Sequence, residues 1–300
     1  MAETVNATEE TLARRAENRW VRMLKEFCSD HPIGAIGSVI VVALIVVAVF
    51  APWIAPYGAK VTDFDAFMPP SKAHWFGTDH LGRDIFSRVV WGSRLSLYVG
   101  LTSVGVGITL GALWGIVSAY LGGIVDVVTQ RIVDVAMGFP PIILALSMMA
   151  MLGQSVNNVI ITLVVLLSPS AARTMRSSVL SLKELTYVES ARAVGSSTAR
   201  VVFRHLVPNC LGTYIVLFTV NVAYAIVVEA SLSFLGLGSP PDEPSWGGML
   251  TAATASLERA PWIAFFPGLA ICLVVFGLNL MGDAIRDMTD AKMRGSTSQE

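Results

Sequence analysis

Long stretches without a single Asp, Glu, Lys, Arg or His constrain this chain more than any other feature. Residues Leu95 to Val125 form one and Val135 to Ala172 another. Gly34 to Ile54 and Ala260 to Gly282 are equally free of charge, and Leu211 to Leu237 is interrupted only by Glu229. An apolar run of roughly eighteen residues or more is long enough to cross the hydrocarbon of a bilayer. The stretch from Val135 to Ala172 is too long for one crossing, and Gly153, Gln154, Ser155, Asn157 and Asn158 read as a turn within it. Six membrane helices are therefore expected, with long polar connections before the second and after the fourth. Composition agrees: 14% of residues are charged and 54% hydrophobic, where a soluble domain carries about 25% charged residues. A soluble cytosolic enzyme, a disordered regulator and a disulfide scaffold are excluded on these grounds. The net charge of −1 argues against a nucleic-acid binder.

The basic residues set an orientation, because cytoplasmic loops of membrane proteins are enriched in Lys and Arg. With the N-terminus inside, fifteen of the 21 fall on the cytoplasmic side and six outside (Lys60, Lys72, Arg83, Arg88, Arg94 and Arg259). Both termini are expected in the cytoplasm. The expected organisation is an amphipathic N-terminal segment (1–33), a first membrane helix (34–56) and an external loop (57–94). A five-helix membrane domain (95–283) and a cytoplasmic tail (284–300) follow. In the first segment, Leu12, Ala16, Trp20, Met23, Leu24 and Phe27 recur at helical spacing with arginines between them. Such a helix suits the inner headgroup layer, or packing against a partner. Cys28, Cys210 and Cys272 are isolated and are read as small buried hydrophobes. No metal site is expected.

Within the spans, Ser103, Gly107, Gly111, Gly115 and Ala119 place a small residue every fourth position, a surface on which another helix packs closely. Pro140-Pro141 should bend the third span. An ionisable group deep in a span is costly unless protonated, paired or facing water. Asn221, Tyr224 and Glu229, with Asn279 on the last span, are expected to line an aqueous path or the bundle interior. The alternative is that Glu229 is structural and pairs with a partner subunit.

The connection from Arg173 to Asn209 is long, basic and helix-forming, and contains Glu189-Ser190-Ala191-Arg192-Ala193-Val194-Gly195, then His205-Leu206-Val207-Pro208. On a helix, Ala191 and Gly195 would lie one turn apart as a smooth docking surface, with Arg192, Arg200 and Arg204 on a common face if the helix continued. This segment resembles the Glu-Ala-Ala…Gly signature of ABC importer permeases, departing from it at Ser190 and His205. Phe76-Gly77-Thr78-Asp79, Leu81-Gly82-Arg83-Asp84 and the run from Glu229 to Gly238 resemble dipeptide and oligopeptide permeases of that family. So do Pro244-Ser245-Trp246-Gly247-Gly248-Met249-Leu250 and Asn279-Leu280-Met281-Gly282-Asp283. The likeness is to the second, C-type membrane subunit.

The resemblance implies an all-α integral membrane protein of the type I ABC importer permease fold with a cytoplasmic coupling helix. Glu189, Ser190, Ala191, Arg192, Gly195 and Pro208 would contact the ATPase, and Trp246 an external binding protein or the channel cap. The implied complex contains a second homologous permease, two ATPase subunits and a solute-binding protein at the bacterial inner membrane. ATP and Mg would sit on the ATPases, since no Gly-x-x-x-x-Gly-Lys-Ser/Thr element occurs here. Di- and oligopeptides are the implied cargo, with nickel complexes, glutathione, opines or oligosaccharides as alternatives. Against an enzyme, all four histidines lie outside the spans and neither HExxH nor Gly-x-Ser-x-Gly is present. An ion-driven secondary transporter would need no coupling helix.

Overall fold

The computed structural model describes residues 28–297, with side chains through residue 289. The amphipathic pattern expected upstream of Cys28 lies outside these residues. Nine principal helices lie among the described residues: α1 (Pro32–Val49), α2 (Ile85–Leu121), α3 (Gly123–Met137), α4 (Pro141–Leu152), α5 (Val156–Leu182), α6 (Thr186–Ala193), α7 (Leu211–Phe234), α8 (Trp246–Ala253) and α9 (Trp262–Thr297). Five are individually long and apolar enough to cross a membrane (α1, α2, α5, α7 and α9). Helices α3 and α4 together form a sixth candidate, bent by 87°.

Two boundaries differ from the uncharged runs. Helix α2 begins at Ile85, well ahead of Leu95, because Arg88 and Arg94 are accommodated at its first turns. Asp84 caps it, accepting from the backbone N–H of Ser87 at 2.8 Å. Helix α9 does not stop at Asp283 but runs on through the expected tail to Thr297. The expected bend at Pro140-Pro141 is a full break. Gly138 closes α3, and Pro140 restarts the chain as the N-cap of α4. The turn expected near Gly153 is present, with Gly153 at a φ of +83° between α4 and α5.

The small-residue stripe of α2 has a packing explanation. A Cβ added at Gly107 would lie 3.1 Å from the Val164 Cα, and one at Gly111 or Gly115 would collide with the carbonyls of Ser168 or Ala172. Helices α2 and α5 therefore meet backbone to backbone, and Ser168 Oγ donates to the Gly107 carbonyl at 3.1 Å. At the other side of the bundle, α1 packs on α9, where a Cβ at Gly37 would come within 2.6 Å of the Leu280 Cβ. Helix α3 is held to α5 by charge. Arg176 grips Asp126 with two bonds of 2.7 and 2.6 Å, and Arg173 bonds Asp134. Of the cysteines only Cys210 is buried, whereas Cys28 and Cys272 are exposed. Burial pushes the Cys210 thiol up to about 11, so it stays neutral and unreactive at physiological pH.

Candidate functional site

The α5–α7 connection carries the signature residues. Helix α6 buries Val188 and Ala191 in a separate apolar cluster. That cluster joins Ala112, Ile116 and Ala119 of α2, Met175 and Val179 of α5, and the return segment Val201, Val202, Leu206 and Cys210. The return is a short helical run, 198–209, with a π-turn over Val202–Leu206. The Arg192 guanidinium lies 4.9 Å from the Tyr120 ring centroid at the end of α2. A movement of α6 would therefore act directly on the ends of α2 and α5.

This arrangement corrects the expected docking surface. Ala191 faces the chain's own core and is buried. Gly195 is not a helical neighbour of Ala191; it follows the end of α6 at a φ of +78°. Its N–H donates to the Arg192 carbonyl at 2.9 Å, and the Ser196 N–H donates to the Ala191 carbonyl at 3.1 Å. These two bonds are the Schellman pattern, which favours glycine because a Cβ is strained in the left-handed region. The chain turns here, so Arg192, Arg200 and Arg204 do not share the face of one continuous helix.

The segment keeps other groups at its surface. Glu189, Ser190, Arg192, Gly195 and Pro208 are exposed, and a Cβ at Gly195 would meet nothing within 4 Å. Four apolar side chains are also exposed here: Leu185, Tyr187, Val194 and Phe203, with Val194 at 82% and Phe203 at 62%. The sequence reading missed them, although Phe203, between Val202 and Arg204, is a bulky aromatic beside a charge on a polar connection.

The four residues expected on a translocation path are not brought together. Asn221 and Tyr224 of α7 line an open cavity of about 330 Å³ whose other walls include Phe139, Leu144, Pro169 and Ser170. Asn221 and Val220 also line a second cavity, of about 360 Å³, reaching Thr174, Arg286 and Thr289. Asn221 thus sits where two cavities adjoin, its Nδ2 donating to the Leu217 carbonyl at 2.7 Å. Glu229 lies on the opposite, buried side of α7 and lines neither cavity. Its Oε1 accepts from Ser233 Oγ at 2.8 Å, and Oε2 has no partner among the described residues. Asn279 is exposed on α9 and lines neither cavity.

Trp246 is also relocated. Its side chain is buried and cannot itself reach another protein. The indole Nε1 donates to the Val89 carbonyl at 2.9 Å, and the ring occupies the space left by Gly92, where a Cβ would lie 2.8 Å away. The motif residues before α2 are similarly internal. Asp79 accepts from Leu81 N, Arg83 N and Arg83 Nε at 2.8, 3.0 and 2.7 Å. Asp84 accepts from Ser87 Oγ and pairs with His74 at 2.9 Å. Asp79, Asp84, His74, Arg83 and Arg88 are all buried.

Comparison with known proteins agrees with this architecture. Residues 107–295 match the family described as binding-protein-dependent transport system inner membrane component. Residues 18–70 match the N-terminal TM domain of oligopeptide transport permease C. The chain is 43% identical over 278 residues to the glutathione transport system permease protein GsiD of Escherichia coli O1:K1, covering 92% of this chain and 91% of that protein. It is 41% identical over 277 residues to the GsiD protein of Pectobacterium atrosepticum, covering 92% of each. Among solved structures, an inward-facing form of the MetNI methionine ABC transporter matches with a TM-score of 0.52 at 20% identity, covering 68% of this chain and 96% of that one. The chain thus belongs to the binding-protein-dependent transport system inner membrane component family, and is a multi-pass permease of the ABC importer class with the all-helical fold of that class.

Proposed function

We propose that this chain is one of two homologous membrane subunits of an importer for short peptides, with glutathione the first cargo to test. Two ATPase subunits bind ATP and Mg, hydrolyse the nucleotide, and engage α6. An external solute-binding protein delivers the cargo. The chain itself catalyses no reaction, and both its termini lie in the cytoplasm, in keeping with the excess of basic residues on that side. The cargo reading rests on the names of relatives at 43% and 41% identity.

The observation that carries the mechanism is the attachment of α6. Its inner face is fixed to the ends of α2 and α5 through Val188 and Ala191, while Glu189, Ser190 and Arg192 stay outside with Val194 and Phe203. A partner that moves α6 therefore biases the membrane bundle between two arrangements. ATP does so by favouring one arrangement through a difference in binding free energy. The cavities sharing Asn221 are the portion of the path contributed by this chain.

Gly195→Glu tests the coupling, with Gly195→Asn as control because Asn tolerates the left-handed backbone. In proteoliposomes containing the full complex, the Glu variant should lose transport and binding-protein-stimulated ATPase activity together, while the Asn variant keeps most of both. Wild-type activity in the Glu variant would overturn the coupling assignment.

A further inference from the structure

We propose that a cavity of about 460 Å³ at the outer end of α2 is a subsite for a zwitterionic short peptide entering the permease, its carboxylate on Arg94 and its ammonium on Glu243. This inference rests on the peptide-cargo reading above. The cavity is bounded by Ala59 and Lys60, by Trp91, Arg94 and Leu95 on α2, and by Glu243 and Pro244. Its size falls in the range of about 300–1,000 Å³ usual for small-molecule pockets. Its lining combines both charge signs with apolar side chains, which suits a ligand with both signs better than a simple anion or cation.

The charged groups are held out for exchange. The Arg94 Cζ lies 5.3 Å from the Trp91 ring centroid, and the Arg94 side chain is exposed. A guanidinium over an indole keeps its outward N–H groups free for a carboxylate, which it can bind bidentately. Glu243 is paired with Lys60 at 3.1 Å, but their side chains are 41% and 58% exposed. Such exposed pairs are weak, so a ligand ammonium can share Glu243 at little cost.

The walls beneath these groups are rigid. Buried Arg88 donates from Nη1 to the Ala59 carbonyl at 2.8 Å, fixing the loop that carries Lys60. Buried Trp246, bonded to the Val89 carbonyl, fixes the segment that carries Glu243 and Pro244. That segment is closed on itself by Glu243 N to the Pro240 carbonyl at 3.0 Å and Ser245 N to the Glu243 carbonyl at 2.9 Å. Rims anchored by buried side chains give a pre-organised site, which lowers the ordering cost of binding. Trp246 thus acts as a positioning residue for the subsite rather than as a contact.

The test uses the assembled permease–ATPase complex in lipid nanodiscs without its binding protein, and the full system in proteoliposomes. Labelled glutathione should bind the wild-type complex, and Arg94→Gln and Glu243→Gln should each weaken binding about fivefold to tenfold. N-acetylation of the peptide should weaken wild-type binding similarly and have little further effect in Glu243→Gln, a pattern that a merely structural role would not produce. Unchanged binding in both variants, or variants that lose affinity for the binding protein and not for glutathione, would overturn the subsite. A wild-type system that transports neither glutathione nor other short peptides would instead defeat the cargo reading, and the subsite with it. Transport by the wild type with fully active variants would defeat the subsite alone.

Discussion

The charged motifs at the two ends of this molecule use the same residue types in opposite ways. At the outer end, on the proposed orientation, Asp79, Arg83, Asp84, Arg88 and His74 are buried. They bond to one another, to the Ala59 carbonyl and to the N-terminus of α2. At the inner end, Glu189 and Arg192 remain exposed, and apolar Val194 and Phe203 project beside them. Charges turned inward and bonded mostly to one another make a rigid outer segment, in which Arg88 Nε lacks a hydrogen bond among the described residues. Charges and apolar groups turned outward make the surface proposed to meet the ATPase. A charged motif is thus not by itself a contact site: its burial decides.

This contrast predicts a descending series of effects. Asp79→Ala should be the most damaging, because it removes the acceptor of three hydrogen bonds and a 4.0 Å ion contact and leaves Arg83 and Arg88 buried without it. Breaking a buried pair by removing one partner costs about 3–5 kcal/mol. Denaturation of the purified complex in detergent should report a loss of that order; a surface-like effect would break the picture of a buried charge network. Asp126→Asn at the inner end should be milder, about 1–3 kcal/mol, since it weakens a charge-assisted bidentate bond to Arg176 that is only partly buried. The same unfolding assay ranks the two.

Gly195→Val should destabilise by about 1–2 kcal/mol through left-handed strain, and should lower coupled transport more than stability. Comparing transport with thermal stability separates those effects. Phe203→Asp sits at the bottom of the series for stability, within about 0.5 kcal/mol, because the side chain is exposed. It should nonetheless reduce the amount of ATPase that co-purifies. A large loss of stability with unchanged co-purification would mean that Phe203 belongs to the fold and not to a partner surface.

The spans were legible because hydrocarbon excludes charge, so each uncharged run reports directly on its surroundings. The start of α2 was not, because Arg88 and Arg94 seemed to bar it. Arg88 is accommodated by Asp79 and the Ala59 carbonyl, partners in a loop earlier in the chain. The position of α6 could be read, and its end could have been, since a glycine after the last helical residue is a common stop signal. The spacing of Ala191 and Gly195 suits one helical face equally well, so spacing alone favours the docking reading. The burial of Trp246 depends on Gly92 and Val89, which no local pattern connects to it. Glu229, Asn221 and Tyr224 share a helix but divide between its buried and open sides, a division set by which neighbours pack against α7.

Coupling as proposed requires that α6 and the turn after it form the surface that meets the ATPase. Photo-crosslinking residues placed singly at Ser190 and Val194, both exposed, and at Lys72 in the outer loop test this in the assembled complex. Covalent capture of the ATPase from Ser190 and Val194, and none from Lys72, is the predicted result. Capture from neither Ser190 nor Val194 in a complex that still transports would contradict this assignment.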